Sequence, residues 1–238
     1  MKKIILFAIS LAFFTLCKAQ DEIIADANAS VRSVSSTFNK IRISSAIKVI
    51  ITQYETESLA VSAAEEKDKE EIKTVIENSV LKIYFSGNSN WRSKDRQLKV
   101  YVSFKNISLI EVSGASDVVG IGKIKLKELA INVSGASTIK GQFYTDKLEL
   151  NMSGASKAKL YGMATLLSVK CSGASDVEAY NLESSLCNAN ASGASDMEIN
   201  VAKEINAVAS GASNIKYKGE AVIKNVKASG AASISRRE

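Results

Sequence analysis

Residues 148–177 read LELNMSGASKAKLYGMATLLSVKCSGASDV and contain two copies of a phrase that sets the period of the chain. Ser-Gly-Ala-Ser begins at six positions and returns once as Ser-Gly-Ala-Ala; the first serines are Ser113, Ser134, Ser153, Ser172, Ser192, Ser210 and Ser229. The successive spacings are 21, 19, 19, 20, 18 and 19 residues. A period near 19 is too short for a two-helix repeat and is typical of one turn of a β-solenoid.

Apolar residues alternate with polar ones on both sides of the phrase. The positions one residue before it are Val112, Val133, Met152, Cys171, Ala191, Ala209 and Ala228. A further apolar column lies five residues after the first serine, from Val118 to Ile234. A period of two indicates strands with one buried face. We therefore predict an all-β fold, a right-handed parallel β-helix whose rungs of about 19 residues stack about 4.8 Å apart.

The amino terminus has the features of a secretory signal. Lys2 and Lys3 precede the apolar run 4–16, and Cys17-Lys18-Ala19 follows, with small residues where a signal peptidase cleaves. This run of thirteen residues is too short to span a bilayer, which needs about 20. A lipoprotein would be acylated at Cys17, but the preceding residue is a bulky leucine. We predict a signal peptide over 1–19 and no transmembrane segment in the mature chain.

The remainder is predicted to be a linker over 20–33 and one β-helix domain over 34–238. Within the domain, 34–105 forms irregular first rungs, and 106–238 forms the repeated ones. The charged stretch 63–77 has apolar residues at helical spacing, so a short helix is expected there. The stretch 87–96 is typical of an exposed loop, with Trp91 as a candidate contact residue.

Composition excludes several kinds of chemistry. The chain has no histidine, which removes Ser-His-Asp and Cys-His catalysis and the commonest metal ligand. Removal of the signal leaves 28 basic against 25 acidic side chains without a dense basic stripe, so nucleic-acid binding is not expected. The repeated serines have no strand-to-helix context and do not resemble nucleophiles. We expect no enzyme activity and no cofactor.

The two cysteines of the mature chain are not expected to pair. Cys171 and Cys187 fall on adjacent rungs but four residues apart along the strand direction. That offset is about 13 Å, which exceeds the reach of a disulfide. They are interpreted as buried thiols.

A column of polar residues lies four positions after each first serine. Asp176 and Asp196 should stack about 5 Å apart in it, with Asn214 next. Three such groups could hold a hard cation, and two carboxylates at this distance could serve retaining glycoside hydrolysis. The alternative is a solvated ladder in which Lys157 neutralises Asp176.

Tyrosines form a second candidate surface. Tyr161 and Tyr180 both lie eight residues after a first serine, and Tyr144 lies nearby on the preceding rung. Stacked exposed tyrosines could present flat apolar faces with polar edges to a sugar, whereas the alternative is half-buried corner packing.

The whole pattern resembles a known family. The strand set FNKIRISSAIKVIITQ at 38–53, the strand beginning Leu-Lys-Ile at 81–83 and the repeated Ser-Gly-Ala-Ser are together similar to the putative auto-transporter adhesin, head GIN domain family. The resemblance covers about 34–238 and implies a secreted or envelope β-helix of Bacteroidetes-type bacteria. It brings no catalytic residues.

These features favour a non-enzymatic exported protein in the periplasm, on the outer-membrane surface or outside the cell. Its partner would be a polysaccharide or another cell-surface component. Two alternatives stay open, a polysaccharide-degrading enzyme on a β-helix and a structural spacer. The last rung has no capping segment after it, so a homo-oligomer could form through that open end.

Overall fold

The repeat builds a parallel β-solenoid of about seven turns with rungs of about 19 residues, as predicted. A computed structural model describes residues 26–87 and 96–237. The predicted signal segment and Trp91 lie outside this range. The elements are β1 Ser30–Arg32, β2 Lys40–Ile43, β3 Lys48–Gln53, β4 Ser58–Ser62, α1 Glu66–Glu71, β5 Ile72–Glu77, β6 Val80–Phe85, β7 Lys99–Phe104, β8 Leu109–Val112, β9 Asp117–Val133, β10 Thr138–Met152, β11 Lys157–Cys171, β12 Asp176–Ala191, β13 Asp196–Ala209, β14 Asn214–Lys218, β15 Val222–Ala228 and β16 Ser233–Arg236.

Each long strand from β9 to β13 runs from one phrase to the next and turns midway. We call the half that follows a phrase the first arm and the half that precedes the next phrase the second arm. Residues of equal rung position pair in parallel, as in the column Val133, Met152, Cys171, Ala191 and Ala209. The apolar columns of these rungs are buried and form one continuous core.

The phrase forms a sharp corner between rungs. The glycine of each copy has a positive φ; at Gly173 it is 73°. A Cβ on Gly173 would lie 2.6 Å from the carbonyl oxygen of Gly154, which accepts a 2.8 Å hydrogen bond from the Ala174 N–H. Only glycine therefore permits this backbone contact.

The last serine of each Ser-Gly-Ala-Ser copy points into the core corner. The Ser175 and Ser195 side chains are buried, and their hydroxyls donate to the carbonyls of Ser172 and Ser192 at 2.6 Å and 3.0 Å. The first serines bond differently, because their hydroxyls donate to main-chain carbonyls of the preceding rung, as Ser172 does to Met152 at 3.2 Å. The repeated phrase is thus explained by corner geometry and hydrogen bonding.

The rungs before the repeat continue both arms. Strands β3, β7, β4 and β1 extend the first arm, and β8, β2, β6 and β5 extend the second. Of the region expected to be helical, only Glu66–Glu71 is a helix, and Ile72–Glu77 is strand β5, which pairs antiparallel with β6. The expected linker also ends in a strand, because Ser30–Arg32 pairs with β4.

The cysteines occupy different buried columns, as their spacing predicted. Cys187 is the register partner of Leu167, whereas Cys171 pairs with Ala191. Both are free thiols, and burial raises the pKa of each to about 12. A high pKa suppresses the thiolate, so both should be poorly reactive in the folded protein.

The final rung departs from the predicted burial. Val226 and Ala228 continue two core columns, yet both are exposed. The reason is positional, because β15 and β16 are covered by β13 and β14 on one side only.

Candidate functional site

The turn between the two arms, which we call the return corner, holds a shallow pocket of about 270 Å³. Its lining residues are Gly120, Gly122, Lys140, Gly141, Gln142 and Tyr161. The glycine at 141 is required by packing, because a Cβ there would lie 2.8 Å from the buried Phe143 ring. Side chains are therefore absent from the floor of the pocket, and polar and aromatic groups stand around it.

Alternation brings three polar side chains to the outer surface of β10. Lys140, Gln142 and Tyr144 point outward, while Gly141 and Phe143 are buried between them. The Gln142 amide nitrogen donates a 2.9 Å hydrogen bond to the Tyr144 hydroxyl. This bond fixes the amide beside the pocket and leaves its carbonyl oxygen free to accept.

The neighbouring rung supplies the second aromatic ring. Tyr161 is the register partner of Gln142, so it stands directly beside that amide. Tyr144 lies two residues further along β10. The two tyrosines are therefore one rung and two residues apart, which separates their Cα atoms by about 8 Å at about 4.8 Å per rung and about 3.3 Å per residue. Gln142 thus sits between two half-buried rings, and the Tyr161 hydroxyl has no hydrogen-bond partner among residues 26–87 and 96–237.

The return corner is basic. The Lys123 ammonium lies 5.8 Å from the centre of the Tyr144 ring, within cation–π range. The Lys140 side chain is exposed, and within the described part of the chain it has no ion-pair partner. The corner therefore offers hydrogen-bond donors, an amide acceptor and two aromatic faces.

The predicted stacking of Tyr161 with Tyr180 is wrong. The register partner of Tyr161 is Asn181, because the ladder shifts between Lys159 and Tyr161. The rung that begins at Ser172 has 20 residues rather than 19, and an extra residue of β12 is accommodated at this point.

Tyr180 is instead packed into the structure. Its hydroxyl is buried and has no hydrogen-bond partner among the described residues. Lys218 and Arg237 lie over its ring at 5.6 Å and 5.8 Å. It does not extend the aromatic surface of Tyr144 and Tyr161. Trp91, the fourth candidate, lies outside the described residues.

The polar column is arranged as the spacing predicted. Asp176 pairs with Asp196, which pairs with Asn214. The Lys157 ammonium is 2.9 Å from Asp176, and the Asn214 amide donates a 2.9 Å hydrogen bond to Asp196. Lys157 also contacts Glu178.

Hydrogen bonds from Lys157 and Lys159 lower the pKa of Glu178 to about 2. These contacts favour a charge-neutralised ladder. Within the described ranges, no group of three or more Cys, Asp or Glu side chains could hold a metal ion. A cation at Asp176, Asp196 and Asn214 stays a prediction.

The second arm carries an amide surface with two shallow depressions of about 390 Å³ and 410 Å³. Asn132 and Asn151 are register partners, and the Asn151 amide donates to Asn132 at 3.0 Å. The same amide nitrogen lies 3.1 Å from a Glu149 carboxylate oxygen, and Asn206 donates to Asn188 at 3.1 Å. These bonds engage part of the amide groups, and the residues that line the two depressions include no aromatic ring, unlike the return corner.

Sequence reasoning missed Lys140 and Gln142. Gln142 lies eight residues after its first serine, as Tyr161 does, so the column itself contained the signal. The column was interpreted from its tyrosines, so the glutamine at the same rung position was not proposed as a site residue. Lys140 lies two residues before that column, so the column did not indicate it. The glycine floor beside Lys140 depends on the packing of Phe143 against Gly141, which the sequence pattern does not show.

Residues 37–221, well over half of the chain, match the family described as "Putative auto-transporter adhesin, head GIN domain". The chain belongs to this family. No curated protein matches it. Within the described residues of this family member, no helix is both long and apolar enough to cross a membrane.

Solved structures share the fold. A putative adhesin from Bacteroides fragilis NCTC 9343 is 22% identical with a TM-score of 0.79, over 89% of this chain and 98% of that one. A putative adhesin from Parabacteroides merdae ATCC 43184 is 19% identical with a TM-score of 0.70, over 90% and 98%. A putative lipid binding protein from Parabacteroides distasonis ATCC 8503 is 18% identical with a TM-score of 0.66, over 90% and 98%.

Proposed function

We propose that this protein is a non-enzymatic adhesin, exported to the cell envelope or beyond it, that binds a polysaccharide at the return corner. Family membership supports the adhesin role. The observation that carries the proposal is the placement of the Gln142 amide between Tyr144 and Tyr161.

The chemistry of the corner suits a sugar. The tyrosine rings offer flat apolar surface to the C–H face of a pyranose, and their hydroxyls stay at the polar edge. The Gln142 carbonyl oxygen can accept from a sugar hydroxyl, and the Lys140 ammonium can donate to one. A shallow open pocket lets a long polymer pass through without an end entering it, as an adhesin requires.

The same features argue against turnover. Glycoside hydrolysis needs two carboxyl groups on either side of the bond to be cleaved. The residues that line the pocket include no acid. The phrase serines lie at the other corner of the rung, and the chain supplies no histidine to activate them.

Replacement of Tyr161 by alanine is expected to weaken polysaccharide binding at least tenfold, because it removes one of the two rings. A tenfold loss corresponds to about 1.4 kcal/mol, the size expected for one aromatic contact. The purified chain would be screened on a polysaccharide array, and the strongest hit titrated by calorimetry with both proteins.

Tyr84→Ala and Tyr180→Phe are the matched controls, because Tyr84 is a half-exposed tyrosine on β6 and Tyr180 lies one rung beyond Tyr161. Both should bind like the parent chain. The proposal fails if no polysaccharide binds, or if Tyr161→Ala binds as tightly as the parent. Release of new reducing ends from the bound polymer would refute the non-enzymatic role.

A further inference from the structure

The two ends of the solenoid are chemically different. At one end, which we call the open end, β15 and β16 each pair with a single strand among the described residues. At the opposite end, which we call the helical end, the outermost strands are β5 and β1, and helix α1 lies next to them. Strands β5 and β15 are the two edges of the second arm.

The open end exposes apolar side chains that continue the core. Val222, Ile223 and Val226 are 60%, 54% and 38% exposed. Ile223 and Val226 are the register partners of the buried Ile205 and Ala207. Three large aliphatic residues beside unpaired strand edges form a surface that favours burial against another chain.

The charges of the two ends indicate which surface could cover the open end. Residues 216–237 at the open end contain six basic residues and one acidic residue. Residues 65–77, which form α1 and β5 at the helical end, contain six acidic and three basic residues. The open end is therefore basic, and the helical end has the opposite sign.

We propose that the open end docks on the helical end of a second copy of this chain, so that copies stack head to tail. Two open ends would bring like charges together, which disfavours a closed symmetric dimer. Opposite charges attract in the head-to-tail arrangement. Because this contact uses two different surfaces, it leaves a free site at each end, and association continues into linear oligomers.

The edge strands at the two ends also match in length and in the arm to which they belong. Strand β15 has seven residues and β5 has six, and both belong to the second arm. On the first arm, β16 corresponds to β1, where Val31 is 80% exposed. Stacking would therefore cover apolar side chains at both ends of the rod.

Sedimentation velocity of the purified chain over a concentration series at low and high salt tests this assembly. The parent should form a ladder of oligomers that grows with concentration and shrinks in high salt. A Lys216→Glu, Lys224→Glu, Lys227→Glu variant leaves three basic and four acidic residues at the open end, which makes it acidic. A Glu70→Lys, Glu77→Lys variant leaves four acidic and five basic residues at 65–77, which makes the helical end basic. Each variant alone should stay monomeric.

An equimolar mixture of the two variants should again form oligomers that grow with concentration, in which the two variants alternate. The reversed open end of the first matches the reversed helical end of the second, and the unchanged open end of the second matches the unchanged helical end of the first. Lys125→Glu, Lys127→Glu reverses two exposed lysines in the middle of the rod and should assemble like the parent. A monomeric parent at all concentrations, a parent that stops at a closed dimer, or a mixture that stays monomeric would overturn the proposal. None of these results depends on polysaccharide binding.

Discussion

Alanine at position 173 is expected to lower the free energy of unfolding by about 3 kcal/mol, a large effect for one added methyl group. Gly173 has a φ of 73°, a conformation that costs an L-residue about 1–2 kcal/mol. In addition, its Cβ would lie 2.6 Å from the Gly154 carbonyl oxygen, so adjacent corners would have to separate. The shift of the urea midpoint, read by circular dichroism, measures the loss.

Gly122→Ala separates the two causes. Gly122 has nearly the same φ, 72°, but a Cβ there would have no atom within 4 Å. The free energy of unfolding of this variant should therefore fall only by the cost of the positive φ, about 1–2 kcal/mol. Equal urea midpoints for the two variants would show that close contact between adjacent corners adds nothing to the cost of replacing a phrase glycine.

Truncation of Phe143 to alanine is expected to cost about 3–5 kcal/mol and to reduce polysaccharide binding as well. Phe143 is fully buried, and its ring lies against the Gly141 backbone under the pocket floor. The cavity left behind would let that floor sink. Chemical denaturation gives the first effect, and titration with the bound polymer below the unfolding transition gives the second.

Met163→Ala is the control for this change, since Met163 lies at the next rung near Tyr144 and its side chain is exposed. Its effect on stability should stay within about 0.5 kcal/mol. Unchanged polymer binding by folded Phe143→Ala would mean that the pocket does not depend on the core beneath it.

The solenoid could be predicted because the sequence that forms its corner is repeated in every rung. Each phrase must fit the same corner, so the period of Ser-Gly-Ala-Ser fixed the rung length and the buried columns. The separation of Cys171 from Cys187 followed from the same count. These inferences needed only positions close to a phrase, where the register is continuous.

The return corner could not be placed by counting. Rungs of 18 and 20 residues must absorb their length differences somewhere. Strand β12 does so between Glu178 and Asn181 where it pairs with β11, and between Ala179 and Glu183 where it pairs with β13. Counting across this region wrongly paired Tyr161 with Tyr180. Local spacing was equally ambiguous at Ile72–Glu77, where a helical pattern is overridden by antiparallel pairing with β6.

Hydrogen exchange of backbone amides tests most directly whether the protein is a stack of rungs with one uncovered end. In high salt, which screens contacts between chains, exchange should be slowest around 131–169, where every rung has neighbours on both sides. It should be fastest from Val222 to Arg236, where each strand has one neighbour. Equal protection from β9 through β16 under these conditions would contradict the account.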